Sequence, residues 1–273
     1  MIDGRRANED DLREFAPILV GNALPIVGIV WFDLLHTLVF VLYLFEILTL
    51  VVVYCGCALF AQQEMQTEDR DVTPVVVGSD DGYLSSLPTV PLPGPLPRVY
   101  LRSLRVIVPS LLVAGFLFVA IGDTLVGGHE AHDTFPAWLS AFREPAVFGT
   151  ALTIVGSHLV YVYRNYFRPR RYTDLSPVTV LEYPVRLLLV LVPGVIGLFL
   201  TFVIVGLFTL AVASQSAADR IGLATLIGGF FLLLTVLEWA QHRAERAADP
   251  DGFAAWLVPL ALRSKWGERG AQE

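Results

Sequence analysis

Six long apolar stretches constrain this chain more than any other feature of its sequence. An α-helix rises about 1.5 Å per residue, so about 20 apolar residues are needed to cross the ~30 Å hydrocarbon core of a bilayer. The stretches cover residues 14–32, 34–61, 103–126, 145–166, 185–213 and 219–241. The sequence therefore predicts an all-α fold, a polytopic membrane helix bundle of about six transmembrane helices.

The first stretch is the least regular of the six. It holds Asn22 and Pro25, and a very short turn near residues 31–33 joins it to the second stretch. Proline removes a backbone hydrogen-bond donor from a helix. Two alternatives follow for this stretch: a helix that crosses the membrane fully, or a re-entrant hairpin.

The distribution of basic residues predicts the orientation of the spans. With six spans, Arg143 and Arg220 lie on one side of the membrane, and all the other Lys and Arg residues, of 19 in total, lie on the opposite side. Loops rich in Lys and Arg remain in the cytoplasm. We therefore expect a multi-pass protein of the cell membrane with both termini in the cytoplasm.

The number and sign of the charged residues indicate which kinds of partner this chain can bind. Only 16 % of the residues are charged, against about 25 % in soluble domains, and the net charge is −7. Acidic loops in which Lys265 is the only lysine are typical of a salt-adapted, archaeal-like host. They lack the basic face that nucleic-acid binding requires. The expected partners are the lipid bilayer and either another membrane protein or a second copy of this chain; the sequence leaves the cofactor unknown.

The chain organisation follows from the spans. We expect a cytoplasmic N-terminal segment at 1–13, the six-helix membrane domain at 14–246 and a cytoplasmic tail at 247–273. The cytoplasmic loop 62–97 is first acidic and then proline-rich, which favours an extended polyproline II path. Residues 252–266 carry Trp256, Trp266 and two basic residues, a pattern typical of a helix that lies in the membrane interface.

Glu46 is the residue of the predicted spans that costs the most free energy to insert into a membrane. It lies near the middle of the second stretch, within LYLFEILTL, and no opposite charge is near it in the sequence. A charged residue at the centre of a membrane helix costs about 2.5–3.5 kcal/mol on insertion scales. Tyr43, three residues earlier, lies on the same helix face and can donate a hydrogen bond. Glu46 is either a proton, ion, metal or catalytic site, or a protonated side chain satisfied by neighbouring helices.

A second polar group is expected on the fourth span. His158, Tyr161 and Asn165 follow one another at i, i+3 and i+7, which aligns them along one face of an α-helix. Counted at about 1.5 Å per residue, His158, Glu46 and Asn22 all lie roughly 10–15 Å from the cytoplasmic edge. The sequence therefore predicts one buried polar site. Its candidate residues are Asn22, Tyr43, Glu46, His158, Tyr161 and Asn165.

The predicted cytoplasmic rim carries further candidates. These are Arg164, Tyr172, Arg186, Glu238 and His242. Glu238 and His242 have the i, i+4 spacing that can bind a metal, but two ligands do not make a site, and an interfacial pair is the alternative. The arginines near the 167–184 loop either contact anionic headgroups or form a pocket for a phosphate-bearing substrate.

Several short motifs resemble one known family. They are NALP (22–25), YLFE (43–46), SH (157–158), NYFRPRRY (165–172) and YPVR (183–186). In these motifs the chain is similar to a family of multi-pass prokaryotic membrane proteins, the domain-of-unknown-function family numbered 6498. The residues that the resemblance singles out are Asn22, Pro25, Tyr43, Glu46, His158, Asn165, Tyr172, Pro184 and Arg186.

The chain departs from this family pattern at two places. Leu44 stands where family members often have Trp, and LLLVLV (187–192) stands where a His often follows the Pro-x-Arg motif. If that His helps to bind a metal in the family, this chain lacks the ligand. The family has no established activity, so the resemblance implies the architecture alone.

Three functions are consistent with these residues. The first is a small-solute or ion transporter-like protein in which Glu46 is the protonatable site, with Asn22 and His158 as partners. The second is a structural or partner-binding membrane subunit, which predicts co-purification with another chain. The third is an intramembrane metal-dependent hydrolase that uses His158, Glu46, Glu238 and His242. A non-enzymatic role is favoured over the hydrolase.

Overall fold

The computed structural model of this chain describes residues 16, 19–20, 23, 36–65, 72, 74–77, 83, 86–93, 97–126, 142–212, 214–246 and 252–257. The chain divides into two compact units. The central unit is Thr37–Val185, and the terminal unit combines Met1–His36 with Arg186–Glu273.

The described part of the chain is built from helices. They are α1 (His36–Ala58), α2 (Leu104–Val126), α3 (Pro145–Val162), α4 (Pro177–Val212), α5 (Gln215–Arg246) and α6 (Gly252–Leu257). Five segments are long and apolar enough to cross a membrane: Phe40–Ala58, Leu101–Ile121, Pro145–Phe167, Pro177–Val212 and Gln215–Ala244. These helices confirm the all-α fold class, and their length and composition fit a multi-pass membrane protein.

The first predicted span lies largely outside the described residues. Of 14–32, only residues 16, 19, 20 and 23 are described, and all four are helical. The second to sixth predicted spans each coincide with one of the five long helices. The total of six, and the choice between a full span and a re-entrant hairpin, therefore stay predictions.

α1 is the central helix of the central unit. Val41 and Leu44 on one side of α1 are buried against residues of α2 such as Phe118. Leu42 on another side forms a buried cluster with Val147 and Ala151 of α3. α2 and α3 therefore pack on different faces of α1, while Val52 near its end remains exposed.

The proline-rich loop contains one strand of a short β-ladder. Thr89–Val90 and Val99–Tyr100 form a two-stranded antiparallel ladder, in which Thr89 faces Tyr100 and Val90 faces Val99. Polyproline II segments make no backbone hydrogen bonds of this kind. The four paired residues are not prolines, so each keeps the N–H group that a ladder requires. The ladder pairs two residues of the loop 62–97 with two residues that follow it, and the polyproline II path of the loop stays a prediction.

α4 begins at Pro177 rather than near residue 185, where the apolar stretch was predicted to begin. The hydroxyl of Ser176 accepts a hydrogen bond from the backbone N–H of Thr179 at 3.2 Å, which is the geometry of a serine N-cap. The helix contains 36 residues. At about 1.5 Å per residue it is longer than the ~30 Å hydrocarbon core, so part of α4 extends beyond that core.

In the terminal unit, α4 and α5 pack closely and run in opposite directions. A Cβ atom added at Gly194 of α4 would lie 2.9 Å from Leu233 of α5, and one added at Gly229 of α5 would overlap the side chain of Leu198 of α4. Small residues allow this close approach of helix backbones in membrane proteins. The short helix α6 lies in the same unit and buries Leu257 completely.

Candidate functional site

The candidate site lies between α1 and α3, which run in the same direction. Near the beginning of both helices, Leu42 shares a buried cluster with Ala151. Near their ends, the Tyr166 hydroxyl donates a hydrogen bond to the backbone oxygen of Cys57 at 2.9 Å. Tyr166 follows Cys57 by 109 residues, and Ala151 follows Leu42 by the same number. A residue of α3 therefore lies at about the height of the α1 residue that precedes it by 109 positions. On this basis His158 is level with Thr49.

His158 lies on the face of α3 that is turned toward α1. Val147, Ala151, Ile154 and His158 follow at steps of three or four residues, the spacing of one helix face. The first three pack in the cluster with Leu42. His158 itself is half-buried, and its Nε2 atom is enclosed without a hydrogen-bond partner among the described residues. Such an atom in a folded protein calls for an explanation, such as an internal water, an ion or a functional role.

Glu46 lies on the face of α1 that is turned toward α3. Leu42, Phe45, Glu46 and Thr49 follow at i, i+3, i+4 and i+7, so they share one side of the helix. Leu42 and Phe45 belong to the cluster with α3. Glu46 therefore lies about one helical turn, roughly 5 Å along the axis, from the level of Thr49 and His158.

The surroundings of Glu46 are apolar in the described part of the structure. Its side chain is half-buried, and Phe45 and Ile47 flank it in the sequence. Tyr43 is almost completely buried, with 1 % of its surface exposed. Asn22, the third residue of the predicted site, lies outside the described residues. The structure thus brings Glu46 and His158 onto facing helix sides, and the part of Asn22 stays a prediction.

A π-helical turn begins between Tyr161 and Asn165, the other two site candidates on this segment. α3 continues beyond Val162 as a π-helix over Tyr163–Phe167, in which the N–H of Arg168 donates to the oxygen of Tyr163 at 2.8 Å. This wider turn accommodates one more residue than an α-helical turn. The i+7 alignment predicted for Asn165 assumed α-helical spacing throughout, so it does not apply beyond Tyr161. π-Helical turns occur frequently at functional sites, and sequence reasoning missed this one.

The π turn directs aromatic side chains into the central unit. Tyr166 is buried and packs against Phe167 and Tyr172, with ring centroids 5.2 and 6.3 Å from its own. Phe167 also contacts Phe60, which follows α1, at 5.3 Å. The rim candidate Tyr172 is therefore part of an aromatic cluster that joins the ends of α1 and α3. The rim candidate Arg164 is exposed.

The remaining rim candidates lie in the terminal unit. Arg186 has only 1 % of its surface exposed. Its Nη1 donates a hydrogen bond to the backbone oxygen of Trp256, and its guanidinium lies 5.5 Å from the centroid of the Trp256 ring. Arg186 of α4 thus fastens α6 to α4 through a hydrogen bond and a cation–π contact.

Glu238 and His242 follow one another on α5. Glu238 is half-buried, and His242 is buried with its ring stacked on Trp239, 6.1 Å between centroids. Among the residues that the structure describes, no three or more His, Cys, Asp or Glu side chains are grouped closely enough to hold a metal ion. His242 thus has an aromatic contact with Trp239, and the hydrolase alternative stays a prediction.

Two features of the central unit were not recognised from the sequence. Thr49, buried at the level of His158, lacks any signal except its position three residues after Glu46. Arg170 adopts a left-handed backbone conformation with φ 57°, which costs an L-residue about 1–2 kcal/mol. Its motif, NYFRPRRY, was recognised, but the backbone conformation was not.

Comparison with known proteins returns no family model, no curated protein and no solved structure that matches this chain. Its resemblance to the domain-of-unknown-function family 6498 therefore stays a prediction.

Proposed function

We propose that this chain is a small-solute or ion transporter-like protein of the cell membrane, in which Glu46 and His158 bind and pass a proton. The observation that carries the proposal is the enclosed Nε2 atom of His158, which has no hydrogen-bond partner in the described part of the chain. It lies on the face of α3 that packs against the Glu46 side of α1.

The energetic cost of this arrangement supports a functional role. A buried polar atom without a hydrogen bond costs about 1–3 kcal/mol. A membrane helix could avoid that cost with an apolar residue, whereas a proton or solute site requires a group that can accept and release its ligand. Acidic and histidine side chains within membrane helices form the proton relays of pumps and transporters. Glu46 and His158, one turn apart on facing helices, are a pair of this kind.

The proposal includes the orientation with both termini in the cytoplasm. Its support is the distribution of basic residues, since only Arg143 and Arg220 fall on the outer side when six spans are counted. A green fluorescent protein fused to the C-terminus should fluoresce, because this reporter folds in the cytoplasm. A dark fusion together with an active periplasmic reporter at the same position would reverse the orientation.

Proton movement through the purified protein tests the transport proposal. The protein is reconstituted into liposomes that contain a pH-sensitive dye, and a potassium diffusion potential drives protons inward. We expect a proton flux clearly above that of protein-free liposomes, and at least a tenfold lower flux for Glu46→Gln, which removes the titratable group but keeps the shape. Glu64→Gln is the matched control, because Glu64 is exposed and lies after α1.

The outcomes separate the three functions. A wild-type flux no greater than that of empty liposomes, or a full flux in Glu46→Gln, contradicts the transport proposal. Unchanged behaviour of Glu46→Gln together with co-purification of a second chain supports the partner-binding subunit instead. A stoichiometric metal in elemental analysis of the purified protein supports the hydrolase. If Glu46→Gln does not fold, Glu46→Asp retains the carboxyl group and should keep part of the flux.

A further inference from the structure

A basic pocket of about 400 Å³ lies in the central unit, apart from the Glu46 and His158 site. Its wall includes two arginines, two tyrosines, an amide and a hydroxyl: Arg98, Arg170, Tyr100, Tyr172, Gln62 and Thr173. Among the described residues that line it, none is acidic. We call it the Arg–Tyr pocket. Its volume is within the range of small-molecule sites, about 300–1,000 Å³.

Three chain segments next to the membrane helices form this pocket, and hydrogen bonds connect them. The segment after α1 joins the segment after α3, because the N–H of Gln62 donates to the oxygen of Tyr172 at 2.8 Å. It also joins the segment before α2, because Arg102 Nη2 donates to the oxygen of Gln62 at 2.6 Å and the N–H of Tyr100 donates to the oxygen of Leu59 at 2.7 Å. The wall is therefore a connected framework rather than three independent loops.

Arg102 adds positive charge directly behind the wall. Its guanidinium lies 5.1 Å from the centroid of the Tyr100 ring, so it fixes the orientation of that ring. Two arginines in the wall and a third behind it give the pocket a positive potential. Asp174, next to the lining residue Thr173, accepts a hydrogen bond from the Thr173 hydroxyl at 3.1 Å; its carboxylate offsets one of these three charges and leaves the described groups at the pocket with a net positive charge.

Arg170 provides an independent sign that the pocket has a ligand. It follows the π turn in a left-handed backbone conformation, with its N–H bonded to the oxygen of Phe167 at 3.0 Å. Glycine is the usual residue in this conformation at a helix C-terminus because it has no Cβ. Strained backbone conformations cluster at functional sites. An arginine here, with its side chain lining the pocket, indicates that the side chain is needed at this position.

We propose that the Arg–Tyr pocket binds a phosphate-bearing ligand, with Arg98 and Arg170 as the groups that hold the phosphate. A guanidinium donates two parallel hydrogen bonds to phosphate oxygens, and tyrosine hydroxyl groups supply further donors. The ligand has two sources. One is the headgroup of an anionic lipid, since the pocket lies where α1 and the π turn end and α2 begins; the other is a free phosphate or phosphorylated solute.

Binding measurements on the full-length protein in detergent separate these sources. The first arm titrates inorganic phosphate against chloride at equal ionic strength by isothermal calorimetry. The second arm compares short-chain phosphatidic acid with the matching diacylglycerol, which lacks the phosphate, by native mass spectrometry. We expect saturable binding in at least one arm. Arg170→Gln and Arg98→Gln should each weaken that binding about tenfold or more, because each removes a charge-assisted contact.

Two further variants distinguish a ligand site from general positive charge and from a folding role. Arg168→Gln is the matched control, because Arg168 is exposed, lies in the same motif and does not line the pocket. Its binding should remain within about twofold of wild type, since a charge outside the pocket makes no direct contact. Arg170→Gly relieves the left-handed backbone, so it should keep or raise the melting temperature while binding is lost.

Each outcome of these measurements decides the proposal. Binding only to phosphatidic acid supports it with a lipid ligand, and binding to inorganic phosphate supports it with a soluble ligand. Absence of saturable binding in both arms overturns it. An equal loss of binding in Arg168→Gln and Arg170→Gln also overturns it, because the effect would then come from overall charge. None of these results depends on proton transport, so the transport proposal can fail while this one stands.

Discussion

The terminal unit and the central unit use their helix contacts differently. In the terminal unit, glycines at 194 and 229 bring α4 and α5 so close that a methyl group would collide with the facing leucine. In the central unit, Glu46 and His158 lie on the facing sides of α1 and α3, where Nε2 of His158 has no hydrogen-bond partner among the described residues, and the ends of these helices frame the Arg–Tyr pocket. The difference is that the α4–α5 contact depends on two glycines, whereas the α1–α3 contact includes polar side chains.

The largest effect is expected where the terminal unit depends on one charged side chain. Arg186→Ala removes a charge-assisted hydrogen bond and a cation–π contact to Trp256. We expect the free energy of unfolding in detergent to fall by about 2–4 kcal/mol. The matched control is Arg220→Ala, an exposed arginine of the same unit, which should change stability by less than about 0.5 kcal/mol. Equal effects of the two variants would show that Arg186 does not fasten α6.

A methyl group added to the glycine contact tests the close packing itself. Gly229→Ala places a Cβ atom against Leu198, so α4 and α5 must separate or Leu198 must leave its rotamer. We expect a loss of about 1–3 kcal/mol, the usual cost of overpacking. Gly228→Ala is the control, because nothing lies within 4 Å of a Cβ at that position.

The control should be neutral or stabilising, since alanine favours a helix more than glycine does by about 1 kcal/mol. The quantity to measure is the difference between the two melting temperatures. If Gly229→Ala melts no lower than Gly228→Ala, the α4–α5 contact is not limited by the glycine, and the contrast between the units is lost.

An apolar substitution in the polar site of the central unit should raise stability, whereas the two variants of the terminal unit should lower it. His158→Leu removes the enclosed Nε2 atom without leaving a large cavity. Because an unsatisfied buried polar atom costs about 1–3 kcal/mol, we expect stability to rise by about 1–2 kcal/mol while proton flux is lost. Ser157→Ala is the control: its hydroxyl is exposed and bonded to the oxygen of Ile154 at 2.8 Å. A destabilised His158→Leu protein would indicate that Nε2 has a partner in the membrane.

The sequence predicted the elements that depend on long apolar runs and missed those that depend on local geometry. The five long helices follow from run length alone, since about 20 apolar residues suffice to identify a span. The beginning of α4 was missed because a single serine cap at Ser176 extends the helix through more polar residues. The ladder at Thr89–Val90 was missed because the surrounding prolines dominate the pattern.

The candidate site was predictable in part for a related reason. The cost of a carboxyl or imidazole group in a membrane helix singles out Glu46 and His158 without any structure. Which helix faces they occupy could not be predicted, because rotation depends on the packing of Leu42, Val147 and Ala151. The π turn and the backbone of Arg170 leave no periodic signal in the sequence, so only coordinates reveal them.

The smallest effect concerns the hydrogen bond that joins the ends of α1 and α3. Tyr166→Phe removes the hydroxyl that donates to the Cys57 oxygen at 2.9 Å and leaves the aromatic packing intact. That oxygen also accepts the N–H of Phe60 at 3.0 Å, so it keeps one partner and is not orphaned. The loss should therefore be a single net hydrogen bond, about 1 kcal/mol.

Tyr163→Phe is the matched control for this variant. Tyr163 lies in the same π turn, but 62 % of its surface is exposed, so its stability should match wild type. If both variants are neutral, the polar contact does not hold the two helices together. If Tyr166→Phe lowers proton flux more than its stability loss explains, the junction of α1 and α3 is coupled to the Glu46 and His158 site. The π turn, which holds Tyr166, would then contribute to both the cohesion and the activity of the central unit.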